Sequence, residues 1–322
     1  MPLALVTGAA GVMGTRLVVR LLEAGWQVRA LVLPNDPLRS RLSPLDCEIR
    51  EGDVSNAASL ARLCDGVDTV YHLAAIIISH DQSQFQRINL NGTVHLVAEA
   101  TRAQVKHFIY VSSASVVYPR RTVYAESKLR AEGVVLASGL PSTIVRPTLV
   151  YEAGGGQELM MFLKYLQRFP IVPFIGTGGA IKRPVWSEDV VDGLARLAGN
   201  QAALGKSYNL SGGEPISILE LAKLLLAHHD QTRPILPVPV LLCRLAAFLL
   251  GLTMKRPPLT SSAIAGVIND ADLDPAQAMA DLGYRPIGVR QGFERCFPIP
   301  SEASKAARGP ASLPQIQKGS AT

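Results

Sequence analysis

Leu3-Ala4-Leu5-Val6, a short apolar strand, runs directly into Thr7-Gly8-Ala9-Ala10-Gly11-Val12-Met13-Gly14. Glycines at 8, 11 and 14 leave the backbone free to turn sharply and to come close to a bound group. A helix opening at Val12 would aim its first amides, and the positive end of its dipole, at that group, which suits a pyrophosphate. The spacing is G-x-x-G-x-x-G rather than G-x-G-x-x-G. The strand before it and the helix after it supply the context in which such a turn binds a dinucleotide.

Working outward, apolar strands are predicted at 3–7, 28–33, 48–51, 69–73, 107–112 and 142–146, with helices between them at 12–24, 57–64, 84–103 and 124–137. Gly25, Gly66 and Gly139 stand where C-terminal helix caps belong. This alternation predicts an α/β fold, a doubly wound parallel Rossmann sheet with a smaller C-terminal substrate lobe. Right-handed crossovers bring the carboxyl ends of the strands to one crevice. After Arg146 the rhythm loosens into Gly154-Gly155-Gly156, Pro170, Pro173, Gly176, Gly178 and Gly179. A helix at 188–198, a strand at 207–210, a helix at 218–227 and an apolar stretch at 238–252 follow. The expected organisation is a dinucleotide-binding Rossmann domain over 1–150 and a mainly substrate-binding lobe over 151–300 with some segments returning to the sheet. The remainder, 301–322, is rich in Ala, Ser, Pro, Gly and Lys and reads as a disordered tail.

Apolar residues make up 48% and charged ones 18% of 322 residues, enough to bury a large core. The net charge of +6 is mild and unclustered, which argues against nucleic acid as a partner. Cys47, Cys64, Cys243 and Cys296 are widely spread and form no C-x-x-C pair. They read as reduced thiols of a cytoplasmic protein, with no metal site and no signal peptide expected. The stretch at 238–252 is shorter than the roughly 20 residues of a spanning helix, and Arg244 interrupts it. It reads as a packed helix, with peripheral membrane contact as the alternative.

Tyr124-Ala125-Glu126-Ser127-Lys128 places a phenol and an ammonium four residues apart on one helix face. A phenol of pKa about 10 is a poor base at neutral pH, and a neighbouring ammonium and a cationic nicotinamide both favour its phenolate. Behind a dinucleotide fingerprint, and with Val111-Ser112-Ser113-Ala114 just upstream, the pair becomes a candidate proton-transfer site.

These motifs resemble the extended short-chain dehydrogenase/reductase family, in its NAD-dependent epimerase/dehydratase branch acting on nucleotide sugars. The resemblance extends through Gly52-Asp53-Val54, His72-Leu73-Ala74-Ala75, Asn89-Leu90-Asn91-Gly92-Thr93, Arg146-Pro147, Tyr208-Asn209-Leu210-Ser211-Gly212-Gly213 and Leu282-Gly283-Tyr284-Arg285-Pro286. It covers residues 1–297. It implies catalytic Ser113, Tyr124 and Lys128, Ser113 holding the reacting oxygen. It also implies a cofactor path along Gly8, Gly11, Val12, Met13, Gly14, Asp53, Val54, Leu73, Ala74, Ala75, Asn89 and Pro147, with Tyr124 and Lys128 at the nicotinamide end. Homodimerisation through the helices at 84–103 and 124–137 is a further implication.

Departures from the family pattern narrow the chemistry. Ala114-Ser115 stand where sugar-nucleotide dehydratases carry an Asp-Glu pair, and where decarboxylases carry Glu at the second position. What remains is an epimerase or ketoreductase of a nucleotide-diphosphate sugar, with Lys182 and Arg183 expected on the diphosphate. A sterol or isoprenoid alcohol dehydrogenase is the alternative enzyme, and a non-catalytic dinucleotide-binding protein the alternative from another class. The second strand ends Leu33-Pro34-Asn35-Asp36, with neither an acid nor a base at the usual ribose position. Asp36 leans toward NAD, slightly preferred here, and Arg39 or Arg41 toward NADP.

Overall fold

The structure, a computed structural model, describes residues 1–119, 121–153, 156–254, 257 and 259–296. The tail assigned to 301–322 lies outside the described residues. Seven strands form the central sheet: β1 (Leu3–Thr7), β2 (Gln27–Val32), β3 (Glu48–Glu51), β4 (Thr69–His72), β5 (His107–Val111), β6 (Ser142–Pro147) and, far later in the chain, Ser207–Leu210. Each of the first six lies within one residue of its expected bounds. All pairings are parallel, and the spatial order of the first six is 3-2-1-4-5-6, with Ser207–Leu210 beyond β6. The order reverses between β1 and β4, where an open α/β sheet forms its crevice.

Both faces are covered, which is why the central strands are nearly all apolar. Helix α1 (Val12–Glu23) packs on one face through Leu17, Val18 and Leu21. On the other face lie α2 (Gly92–Arg102) and α3 (Val123–Ala137), over Leu5, Val70, Phe108 and Ile144. Gly25, Gly66 and Gly139 all take positive φ.

Two expected helices differ. The one at 57–64 is a single 3₁₀ turn, Ala57–Leu60, capped by the Asn56 side chain and ended by Arg62 at φ +62°. The one at 84–103 opens as a π turn, Phe85–Asn91, before α2 begins. There the Asn89 side chain bonds outward to a loop and to α3. A Cβ on Gly92 would fall 2.8 Å from Val54 Cγ2, so the chain meets β3's end without a side chain. Such wide turns concentrate at functional sites.

The C-terminal lobe leaves the sheet after β6 and is built from β7 (Val150–Tyr151), α4 (Gln157–Arg168), β8 (Val172–Ile175), β9 (Ile181–Lys182), β10 (Val185–Trp186), α5 (Ser187–Ala195), β11 (Ser207–Leu210), β12 (Ile216–Ser217), α6 (Ile218–Ala227) and β13 (Ile235–Val238), then α7 (Val240–Thr253) and α8 (Ser261–Ile268). Of these, α5 packs against α1 and β11 is the seventh strand, so the chain returns to the sheet. Leu159, Leu163, Phe174, Leu221, Leu225 and Phe293 fill the lobe's own core.

Helix α3 is fastened to β6 by a two-pronged ion pair: Arg146 Nε and Nη2 donate to Glu132 Oε1 and Oε2 at 2.9 and 2.6 Å. Glu132 is buried, so removing its carboxylate strands a partly buried guanidinium. Glu132→Ala is expected to lower unfolding stability by about 3 kcal/mol in urea titration.

Candidate active site

At the β1/β4 switch the glycine turn is cut to fit the backbone around it. Gly8 has φ +68°, and a Cβ there would lie 3.1 Å from the Ala74 amide nitrogen. A Cβ on Gly14 would lie 2.2 Å from the Gly8 carbonyl oxygen. The Gly11 amide donates to that same oxygen at 3.1 Å, and Gly11 is the N-cap of α1. The turn therefore presents bare backbone ahead of Val12 and Met13, a cradle that fits a dinucleotide pyrophosphate.

A buried line of hydrogen bonds sets the opposite wall, Leu73-Ala74-Ala75. The Ala74 amide donates to Thr7 Oγ1 at 3.1 Å, and Thr7 Oγ1 meets His72 Nδ1 at 2.8 Å. His72 Nε2 meets Thr93 Oγ1 at 3.0 Å, and Thr93 donates to Asn89 O at 2.7 Å. Because Thr93 spends its proton on Asn89, it accepts from His72 Nε2–H, and Nδ1 then accepts from Thr7. His72 is thus a neutral imidazole, its pKa pushed down to about 3 by burial and by the Lys128 charge. Asn89 continues the line: its Oδ1 accepts from the Ile76 amide at 2.9 Å, while its Nδ2 donates to Ile76 O and to Ser127 Oγ at 3.0 and 3.1 Å.

Beyond β3, the Asp53 carboxylate accepts from the Ser55 amide at 2.8 Å, and Val54 is buried against Gly92. Asp36 accepts from the Leu38 amide at 2.9 Å, which commits its carboxylate to the local turn. Arg39 pairs with Glu51, whereas Arg41 reaches over the glycine turn to the Ala10 carbonyl at 3.2 Å.

Thr122 caps α3 through the Ala125 amide, and the first turns of the helix bring Tyr124 and Lys128 to the end of β5. The Ser113 hydroxyl lies against the Tyr124 phenol and lowers its pKa, while also accepting from the Ser115 amide at 3.2 Å. The neighbouring Ser112 hydroxyl is buried with no hydrogen-bond partner among the described residues. The phenol as a whole is held above its ordinary pKa, by burial first and then by the Glu158 carboxylate. Lys128 does not oppose this. Its ammonium is buried, donates to Val111 O at 2.7 Å and lies 4.2 Å over the Tyr110 ring. Burial brings it down to about 7, with Glu132 pulling upward. Burial and the Glu158 carboxylate both favour the protonated phenol, so a phenolate here depends on the cationic nicotinamide as well as on Lys128.

Glu158, in the first turn of α4, is the site residue that sequence reasoning missed. It is exposed, and its charge raises the pKa of both Tyr124 and Tyr118, second to their burial. An acid in a first helical turn reads as a dipole partner, so no sequence signal set it apart.

The two cations expected at a diphosphate both make contacts within the protein. Lys182 is buried and donates to Gly266 O at 2.8 Å and to Asn269 O. Arg183 Nε is paired with Asp272 Oδ1 at 2.6 Å, beyond the Pro147–Thr148 strand end. Trp186 packs under the Arg295 guanidinium at 5.2 Å, and His80 is exposed.

A parallel sheet with a glycine cradle at its switch point and a Ser-Tyr-Lys set beside it defines an NAD(P)-dependent enzyme of the extended short-chain dehydrogenase/reductase type. The chain belongs to the NAD dependent epimerase/dehydratase family, whose model matches residues 4–211. It is 27% identical to a 3 beta-hydroxysteroid dehydrogenase/Delta 5-->4-isomerase of Mycobacterium tuberculosis over 91% of this chain and 89% of that one. It is 35% identical to a ceramide reductase of Caulobacter vibrioides over 53% of each chain. The structure of DesIV, a dTDP-glucose 4,6-dehydratase of Streptomyces venezuelae with NAD bound, superposes with a TM-score of 0.72 at 24% identity, covering 92% and 95% of the two chains.

Because a Cβ at position 14 would collide with backbone, Gly14→Ala is expected to abolish cofactor binding. Titration with NADH and NADPH by fluorescence checks this, and a folded variant that binds either normally contradicts the cradle.

Proposed function

We propose that this protein is an NAD(P)-dependent oxidoreductase that interconverts a hydroxyl and a keto carbon on a lipophilic substrate of sterol-like, isoprenoid or long-chain type, working best as a ketone reductase. The observation that carries this reading is the state of Lys182 and Arg183. A nucleotide diphosphate needs free cations, and both heads are already committed to Gly266, Asn269 and Asp272. The names of the two sequence relatives, a steroid dehydrogenase and a ceramide reductase, favour the same substrate class. The nucleotide-sugar reading, supported by structural likeness to sugar-nucleotide enzymes, would require Lys182 to leave two backbone carbonyls.

The nicotinamide, when bound, supplies the hydride that the protein itself cannot. Tyr124, kept protonated by burial and by Glu158, gives its phenolic proton to the substrate oxygen, and Ser113 hydrogen-bonds that oxygen. Lys128 lends a buried positive charge anchored on Val111, and Asn89 holds Ile76 and α3 in register around it. In this reading residues 151–300 mainly receive the substrate. NADP(H) is the favoured cofactor, since Asp36 is turned into its own loop while Arg41 overhangs the glycine turn.

Four outcomes follow. With NADPH and ketones of sterol or long-chain lipids in detergent, cofactor should be consumed in proportion to substrate. Turnover of UDP or dTDP sugars without net cofactor consumption would overturn the assignment. Tyr124→Phe should cut kcat by at least about a hundredfold while cofactor still binds. The raised phenol pKa preserves its proton through neutral pH, but the Lys128 charge, brought down to about 7, is lost there, so the reduction rate should begin to fall as pH rises through about 7 and fall further in the alkaline range, read from kcat against pH. Arg41→Ala should raise KM for NADPH several-fold and leave KM for NADH unchanged.

A further inference from the structure

We propose that one face of α7 docks the enzyme on an anionic lipid bilayer. The helix is anchored by Cys243 and Ala247, which pack on Ile264 of α8 in a small separate cluster. Its other side is apolar and open. Leu241, Leu242, Leu245, Phe248, Leu249 and Leu252 are between 52% and 76% exposed. At 100° per residue these six fall within one stripe about 120° wide, opposite the anchoring pair. So many large side chains in one continuous stripe go beyond the scattered apolar residues of an ordinary surface.

The charge pattern selects the occupant. Between Asp230 and Asp270 the chain carries Arg233, Arg244, Lys255 and Arg256 and not one Asp or Glu. Arg244 borders the apolar stripe and is exposed. A second copy bound through the same face would set like charges against each other, because a two-fold contact repeats the same patch. A leaflet bearing anionic headgroups instead offers both a place for the leucines and counter-charges for the arginines. No helix among the described residues is long and apolar enough to cross a membrane, so the contact is peripheral.

The anchored side of α7 packs on the substrate lobe, where Cys243 and Ala247 share a cluster with Ile175 of β8 and Val238 of β13. A helix lying in the interface would hold that lobe at the layer in which a lipophilic ketone dissolves. The inference takes its meaning from the substrate reading above, and its test is separate.

The full chain should co-sediment with phosphatidylcholine vesicles containing phosphatidylglycerol, and more weakly with phosphatidylcholine alone. The double variant Leu245→Glu/Phe248→Glu should lose about tenfold or more of that partitioning. It should keep its melting temperature and cofactor affinity, since both side chains face outward. Arg244→Glu should weaken binding to the anionic vesicles and leave the weaker binding unchanged. Equal sedimentation of wild type and double variant overturns the proposal. So does a wild-type dimer in light scattering that the double variant converts to monomer with no vesicle binding. Vesicle binding by an enzyme that turns over only nucleotide sugars would sustain docking and sink the lipophilic substrate. Ketone turnover in micelles without vesicle binding would do the reverse.

Discussion

A single buried run of hydrogen bonds holds the two halves of the site in one geometry. It starts at the Ala74 amide, passes through Thr7, His72 and Thr93 to Asn89, and ends on Ile76 and Ser127. Thr7 closes the strand that delivers the glycine turn, and Ser127 precedes Lys128 on the catalytic helix. Each member has a fixed donor and acceptor role, so loss of any one strands a buried polar group on its neighbours. The π turn is the backbone's concession to this run, since Asn89 could not otherwise face the 73–76 loop and α3 together.

Electrostatics at the site are set by desolvation rather than by the charge pair that the spacing suggests. Tyr124 and Lys128 share a helix face, yet the ammonium is drawn to a carbonyl and an aromatic ring at the end of β5. The phenol answers to burial and to a carboxylate reaching in from the lobe. Both influences favour the protonated tyrosine. That favours delivery of a proton over its removal.

The sheet was legible because its central strands, such as Leu3–Thr7 and His107–Val111, are largely apolar runs and glycines cap the elements between them, and local patterning of that kind needs no knowledge of distant contacts. The cofactor cradle was legible for the same reason: Gly8, Gly11 and Gly14 lie within seven residues. Ser113, Tyr124 and Lys128 were singled out through their order in the chain. What escaped was decided by partners far away in sequence. The Asn89 contacts broke the helix expected at 84–103, and Lys182 answers to carbonyls more than eighty residues downstream. Glu158 gave no local sign of its influence on Tyr124, since that depends on where α4 lies relative to α3 in the folded chain.

The seventh strand has an architectural consequence. Ser207–Leu210 comes back from the lobe to cover β6, with the Ile144 amide donating to Lys206 O and Thr143 Oγ1 to Ala203 O. Lobe and sheet are therefore interleaved along the polypeptide and share no single cut point. A fragment severed near residue 150 would expose the flank of β6, a parallel strand with unpaired amides and an apolar face, the kind of edge that invites aggregation. Nature or an engineer recombining this lobe with another nucleotide-binding half would have to exchange two separate stretches of gene, with the closing strand travelling alongside the sheet it completes.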